Sequence, residues 1–158
     1  MTNIADGEQV VKRLTNPLFG RPTPLGDVMR QAHRRLVSYL DRALREAGYP
    51  DLRSAHVSVL ATVDPAGTRL ATLVARGGRT KQATAELAGH LAATGYVRLV
   101  GDPSDGRAKL YVPTGEAYTL LAVCEGVVDR YERWLEGVVG SDGVAQLRRT
   151  LLAIVADG

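Results

Sequence analysis

Apolar residues along the first half of this chain recur at helical spacing. From Leu25, the positions Val28, Met29, Ala32, Leu36, Leu40, Ala43 and Ala47 follow at steps of three and four, which predicts a long amphipathic helix over 25–47. Gly48 and Pro50 stop it. Three shorter helices are expected next. Ser54 is placed to cap one running to Thr62, with Val57, Leu60 and Ala61 inward. After the turn Asp64-Pro65-Ala66-Gly67, Thr68 is placed to cap a second, with Leu70, Leu73 and Val74 inward. After Gly77-Gly78, Thr80 is placed to cap a third that reaches Thr94 and is closed by Gly95. The pattern then switches to alternation. Tyr96–Val100 and Ala108–Val112 read as two strands of a hairpin around the loop Gly101–Gly106. Thr114 opens another long helix with a wide apolar stripe from Leu120 to Val138. Gly140 ends it, and Ser141 caps a last helix with Val144, Leu147, Leu151, Ile154 and Val155 inward.

Three short helices followed by a hairpin make a winged helix-turn-helix. The expected fold is mainly α, with a two-stranded wing, flanked by long N- and C-terminal dimerisation helices. The expected organisation is an N-terminal arm over 1–24, a helical dimerisation region over 25–53 and 114–158, and a DNA-binding lobe over 54–113. Pro17, Pro22 and Pro24 rule out a continuous helix in the arm, which has room for a short one around Glu8–Leu14. The long helices carry more apolar surface than so small a lobe can cover, so a homodimer is expected.

The 158 residues, 45% of them apolar, suffice for one real core. No apolar run approaches the length of a membrane span, and the polar, acidic N-terminus does not read as a signal peptide. Cys124 is the single cysteine, which excludes an intrachain disulfide and a thiolate metal cluster, and the cytoplasm is the expected location. The net charge of +3 is modest, but its distribution is uneven. Seven basic and three acidic side chains lie between Thr68 and Lys109, against four arginines and seven acids from Glu116 onward. A basic middle beside an acidic C-terminal part suits one polyanion-binding face and a separate face for something else.

Wound at 100° per residue, the helix after Thr80 places Ala83, Leu87, Leu91 and Thr94 inward. Gln82, Ala85, Gly89 and Ala92 then face out, flanked by Lys81 and Glu86. Small residues let a helix approach a partner closely, and Lys81 and Gln82 sit in the first turn, where recognition helices present side chains to base edges. Gln can pair with adenine, Lys can donate to guanine, and Ala85 can meet a thymine methyl. The helix N-terminus at Thr80 favours a phosphate. Arg107, just past the hairpin turn, is placed to enter a minor groove, with Asp105 to orient its guanidinium. Arg69, Arg79 and Lys109 are candidate phosphate contacts.

From Ser54 to about Leu121 the chain resembles the MarR family of transcriptional regulators. The resemblance rests on Thr80-Lys81-Gln82, on His90-Leu91-Ala92-Ala93-Thr94-Gly95-Tyr96-Val97, and above all on the wing, Asp102-Pro103-Ser104-Asp105-Gly106-Arg107-Ala108-Lys109-Leu110. It implies a homodimer with entwined terminal helices that sets two recognition helices in successive major grooves of a pseudopalindromic duplex. It also implies a repressor released by a small aromatic or lipophilic effector. Base contacts are then expected from Lys81, Gln82, Thr84 and Ala85, and a minor-groove contact from Arg107 with Asp105 beside it. Four positions depart from the family pattern, of which Pro113, in place of an aliphatic residue, and Ala117, in place of a glycine, affect only the start of the following helix. Gly106 stands where the wing commonly has arginine. Glu86 stands where many members have arginine, able to accept from a cytosine amino group or simply to repel phosphate.

Tyr39, His56 and Tyr118 are candidates to line an effector pocket. His33, His56 and His90 show no metal-binding spacing, and neither a metal nor a cofactor is expected. Cys124 lies in an apolar stripe away from cationic neighbours, which suits an inert thiol. No nucleophile triad, phosphate loop or paired carboxylate supports an enzyme. The alternative to a DNA-binding regulator is a winged-helix protein-interaction module without DNA readout, for which Gly106 and Glu86 are the only sequence support.

Overall fold

The computed structural model describes residues 23–156. The expected arm, with its short helix around Glu8–Leu14, lies outside the described residues apart from Thr23 and Pro24. The described residues fall into two compact units, one ending at Tyr39 and the other starting at Leu40.

Helix α1 spans Leu25–Glu46. In the first unit it leaves Leu25 and Met29 exposed. In the second unit its last turns bury Ala43 and Leu44. It ends in the paired bonds of a Schellman motif, Tyr49 N–H to the Leu44 carbonyl and Gly48 N–H to the Arg45 carbonyl.

Helix α2 runs Ser54–Leu60, and here the N-cap is Arg53, not Ser54. The reason is local hydrogen bonding. Ser54 N–H is already taken by Asp41 Oδ1 at 2.7 Å, while Arg53 N–H donates to His56 Nδ1 at 3.0 Å. His56 thus does what a Glu or Gln does at that position of a capping box. The expected cap at Thr68 is also corrected. Thr68–Arg69 form a short strand, β1, and helix α3 begins only at Leu70 and runs to Gly77. Thr68 is buried, and its hydroxyl accepts Asp64 N–H at 2.8 Å, which ties it to the preceding turn.

Helix α4 spans Lys81–Ala93 and closes with a second Schellman pair, Tyr96 N–H to Leu91 and Gly95 N–H to Ala92. Strands β2 (Val97–Asp102) and β3 (Asp105–Pro113) form the expected hairpin, with Leu99 opposite Tyr111 and an irregularity at Gly101/Asp102. The sheet has three strands where the sequence suggests two. Its order is β1-β3-β2, and β1 pairs Thr68 with Tyr111 and Arg69 with Leu110.

Helix α5 covers Gly115–Ala156 and is broken at Gly140, whose φ of 76° and ψ of 161° no helix contains. The left-handed φ suits glycine and places the break where the sequence places it. At its start, Thr114 N–H and hydroxyl both donate to the Tyr96 carbonyl, and the hydroxyl also reaches the Gly95 carbonyl at 2.7 Å.

One core holds the elements of the second unit together. Leu44, Leu52, Val59, Leu60, Leu73, Ala88, Leu91, Val97, Ala117 and Leu120 pack as a single cluster. Burying each Leu or Val contributes roughly 1.5–3 kcal/mol before the entropy of ordering is counted. The distal part of α5 is different. Trp134, Val138, Leu147, Leu151, Leu152, Ile154 and Val155 are exposed, Val155 by 77%.

Candidate nucleic-acid interface

Thr80 begins α4 in an extended conformation, and its hydroxyl accepts Ala83 N–H at 3.2 Å. This fixes the first turn and leaves Lys81 and Gln82 exposed. The buried side of the helix is Thr84, Ala88 and Leu91. That set is rotated from the expected one: Thr94 is exposed, and Ala83 and Leu87 are only half-buried. The outer face is correspondingly centred on Gln82, Glu86 and Gly89, with half-buried Ala85 at its flank. Glu86 therefore lies in the middle of the outer face, not at its edge. Thr84 cannot serve as the base contact expected of it. It is 1% exposed, and its hydroxyl donates to the Thr80 carbonyl one turn back at 3.1 Å.

The wing is anchored at its base by Arg69. Its Nε donates to Asp102 Oδ2 at 2.6 Å, and Nη2 donates to Ser104 Oγ at 3.1 Å. A longer approach, 3.9 Å, joins Nη1 to Asp105 Oδ2. Asp102 also accepts the Ser104 N–H and hydroxyl at 2.8 and 2.7 Å. These Ser104 bonds, and then Arg69, hold the Asp102 carboxyl below its ordinary range. Arg69, expected to meet phosphate, is thus engaged within the protein. Asp105 takes the backbone N–H of Arg107 at 3.1 Å, not its guanidinium. That guanidinium is exposed and makes no ion pair among the described residues, which leaves its charge for an external anion.

Lys109 is exposed on β3, and Arg79 is half-buried with Nη1 on Ser58 Oγ at 3.3 Å. The sequence reading passes over Asp102 and Ser104 as anchors, although Asp-Pro-Ser is a turn-forming run in which Asp bonds the backbone two residues on. Exposed Arg98 on β2 is a further cation it does not single out.

Of the candidate pocket residues, Tyr39 is half-buried in the first unit. Tyr118 is 51% exposed on the first turns of α5. His56 is half-buried, and its ring packs on that of His90 of α4, centroids 4.5 Å apart. His90 Nε2 is buried without a hydrogen-bond partner. Burial pushes the Cys124 thiol up, the direction of an unreactive group. Among the described residues no cluster of three or more His, Cys, Asp or Glu could hold a metal ion, and no helix is long and apolar enough to cross a membrane.

No protein-family model and no curated protein matches the chain. Solved structures do. MarR from E. coli in its reduced form is similar with a TM-score of 0.74 and 20% identity, over 85% of this chain and 98% of that one. MepR of S. aureus, solved as a DNA complex, gives 0.72 and 15% identity, over 85% and 98%. CouR from Rhodococcus jostii RHA1, bound to p-coumaroyl-CoA, gives 0.67 and 28% identity, over 82% and 90%. The fold of these proteins thus runs through most of this chain. This chain has the winged helix-turn-helix fold that MarR and these other solved structures share.

Proposed function

We propose that this chain is a sequence-specific duplex-DNA-binding regulator that acts as a homodimer, represses transcription by occluding a pseudopalindromic operator, and is released by a small aromatic or lipophilic effector. The observation that carries the reading is the pairing of a capped, exposed first turn at Lys81 and Gln82 with an Arg107 guanidinium that no acid among the described residues engages. A helix start with free N–H groups and long polar side chains fits a major groove, and a free arginine on a wing fits the adjacent minor groove. The DNA-bound MepR and the ligand-bound CouR, which share the fold, support a DNA partner and a small-molecule partner. The exposed apolar residues beyond Gly140 support a second copy as their cover.

Fluorescence anisotropy against duplex from immediately upstream of the protein's own gene tests this, with a scrambled duplex as control in roughly 150 mM salt. A preference of about 10³-fold or more is the expected result. Lys81→Ala and Arg107→Ala should each weaken binding while the dimer survives in sedimentation. If both variants bind as the wild type does, the assigned site is wrong and the protein-interaction reading takes its place.

A further inference from the structure

The geometry points to Glu86 as a specificity-determining residue that, together with Gln82, selects exocyclic amino groups in the major groove and fixes a cytosine in each half-site. This rests on the DNA-reading function proposed above.

Gln82 and Glu86 stand one helical turn apart at the centre of the outer face of α4, and both are exposed. Gln82 Nε2 donates to Glu86 Oε1 at 3.1 Å. The bond sets the orientation of the amide, with its nitrogen toward the carboxylate and its carbonyl oxygen turned away. An ionised carboxylate has no donor. The pair therefore offers outward two acceptors, Gln82 Oε1 and the second oxygen of Glu86, and one remaining amide N–H.

In the major groove the only base donors are the amino groups of adenine N6 and cytosine N4, whereas guanine O6 and N7 and thymine O4 are acceptors. Gln82 keeps what it needs for adenine, an acceptor for N6 and one N–H for N7. Glu86 has a match only in an amino group, and facing guanine or thymine it would be a charge without a partner in a partly desolvated groove. Its position also distinguishes readout from simple repulsion. Phosphates lie along the rims of a groove, and an acid meant only to repel them would sit at the edge of the helix face. Glu86 sits at the middle, followed by Gly89, over which the space is open. Nothing at that position holds the helix back from the groove floor.

The test uses the full-length protein. Random-duplex selection finds the preferred site, and anisotropy then measures every single-base-pair variant of it for wild type, Glu86→Ala and Glu86→Gln. Both substitutions fall on an exposed side chain, and helical circular dichroism checks the fold. The wild type is expected to lose about tenfold when one C·G pair per half-site is changed. Glu86→Ala should flatten discrimination at that pair alone. Glu86→Gln should shift its preference toward A·T. If Glu86→Ala instead raises affinity equally for every duplex and keeps the base profile, Glu86 is only an electrostatic brake and the inference is overturned. If the wild type selects no sequence at all, DNA reading itself has failed, and the inference goes with it.

Discussion

Arg69 Nε lies 2.6 Å from Asp102 Oδ2, so a residue of the short strand before α3 holds the base of the wing from 33 positions away in sequence. The relationship recasts a basic side chain that reads as a phosphate contact. Arg69→Ala should weaken DNA binding by no more than about fivefold, as befits a partly exposed pair, by loosening the wing. The slope of log affinity against log salt should stay as in the wild type, since no phosphate contact is lost. A slope shallower by about one would return Arg69 to the phosphates.

Thr84 separates packing from readout. Thr84→Ala removes a buried methyl and a hydroxyl that donates to the Thr80 carbonyl. A loss of about 1 kcal/mol in urea denaturation is expected, with DNA affinity of the folded protein unchanged. A drop in affinity without a drop in stability would place Thr84 at the bases after all.

His56 makes stability depend on pH. Its Nδ1 can accept Arg53 N–H only when unprotonated. Burial, then the neighbouring charges of His90 and Arg53, lower its pKa from 6.5 against the opposing pull of Asp41. The unfolded chain therefore takes up the proton more readily. The contribution is complete above about pH 6.5 and is lost as pH falls from there through the folded value. Urea midpoints at fixed protein concentration between pH 8 and pH 5 should fall on the acid side, and His56→Asn, which keeps an acceptor but cannot titrate, should flatten that fall. A wild-type profile as flat as the variant's would remove His56 from the account.

Gly67 joins the turn at Asp64 to β1 with a φ of +103°, and an added Cβ would come within 2.9 Å of Val112 Cγ2 and 3.1 Å of Leu110 Cβ. Both the conformation and the space oppose a side chain. Gly67→Ala should cost about 1–3 kcal/mol in chemical denaturation, the range of an overpacked contact. A neutral outcome would mean that β3 yields at Leu110 and Val112.

Much of this fold is legible in the sequence because it rests on period and punctuation. Leu25 to Ala43 keeps one helical spacing, Val97 to Val112 alternates around a loop, and Gly140 interrupts a stripe that otherwise runs on. What escapes is set by tertiary partners. A two-residue strand at Thr68–Arg69 has no pattern of its own and exists because β3 is beside it. Thr84 looks like an outward polar residue until its hydroxyl is satisfied one turn back. The rotation of α4 follows from that burial, and it moves Glu86 from flank to centre. At the wing, Arg69 and Asp102 are both visible as charges, but only the fold brings them together.

Thr114 has a mechanical consequence. Its N–H and hydroxyl donate to the Tyr96 and Gly95 carbonyls just past the end of α4, so the start of α5 is tied to the exit of that helix. Lys81 stands at the far end of α4, a lever of roughly 20 Å at 1.5 Å per residue. A tilt of about 10° at that tie carries it through about 3.5 Å, close to the rise of one base pair. On the function proposed above, a small change in how α5 is held would shift the base contacts by about one step along the duplex.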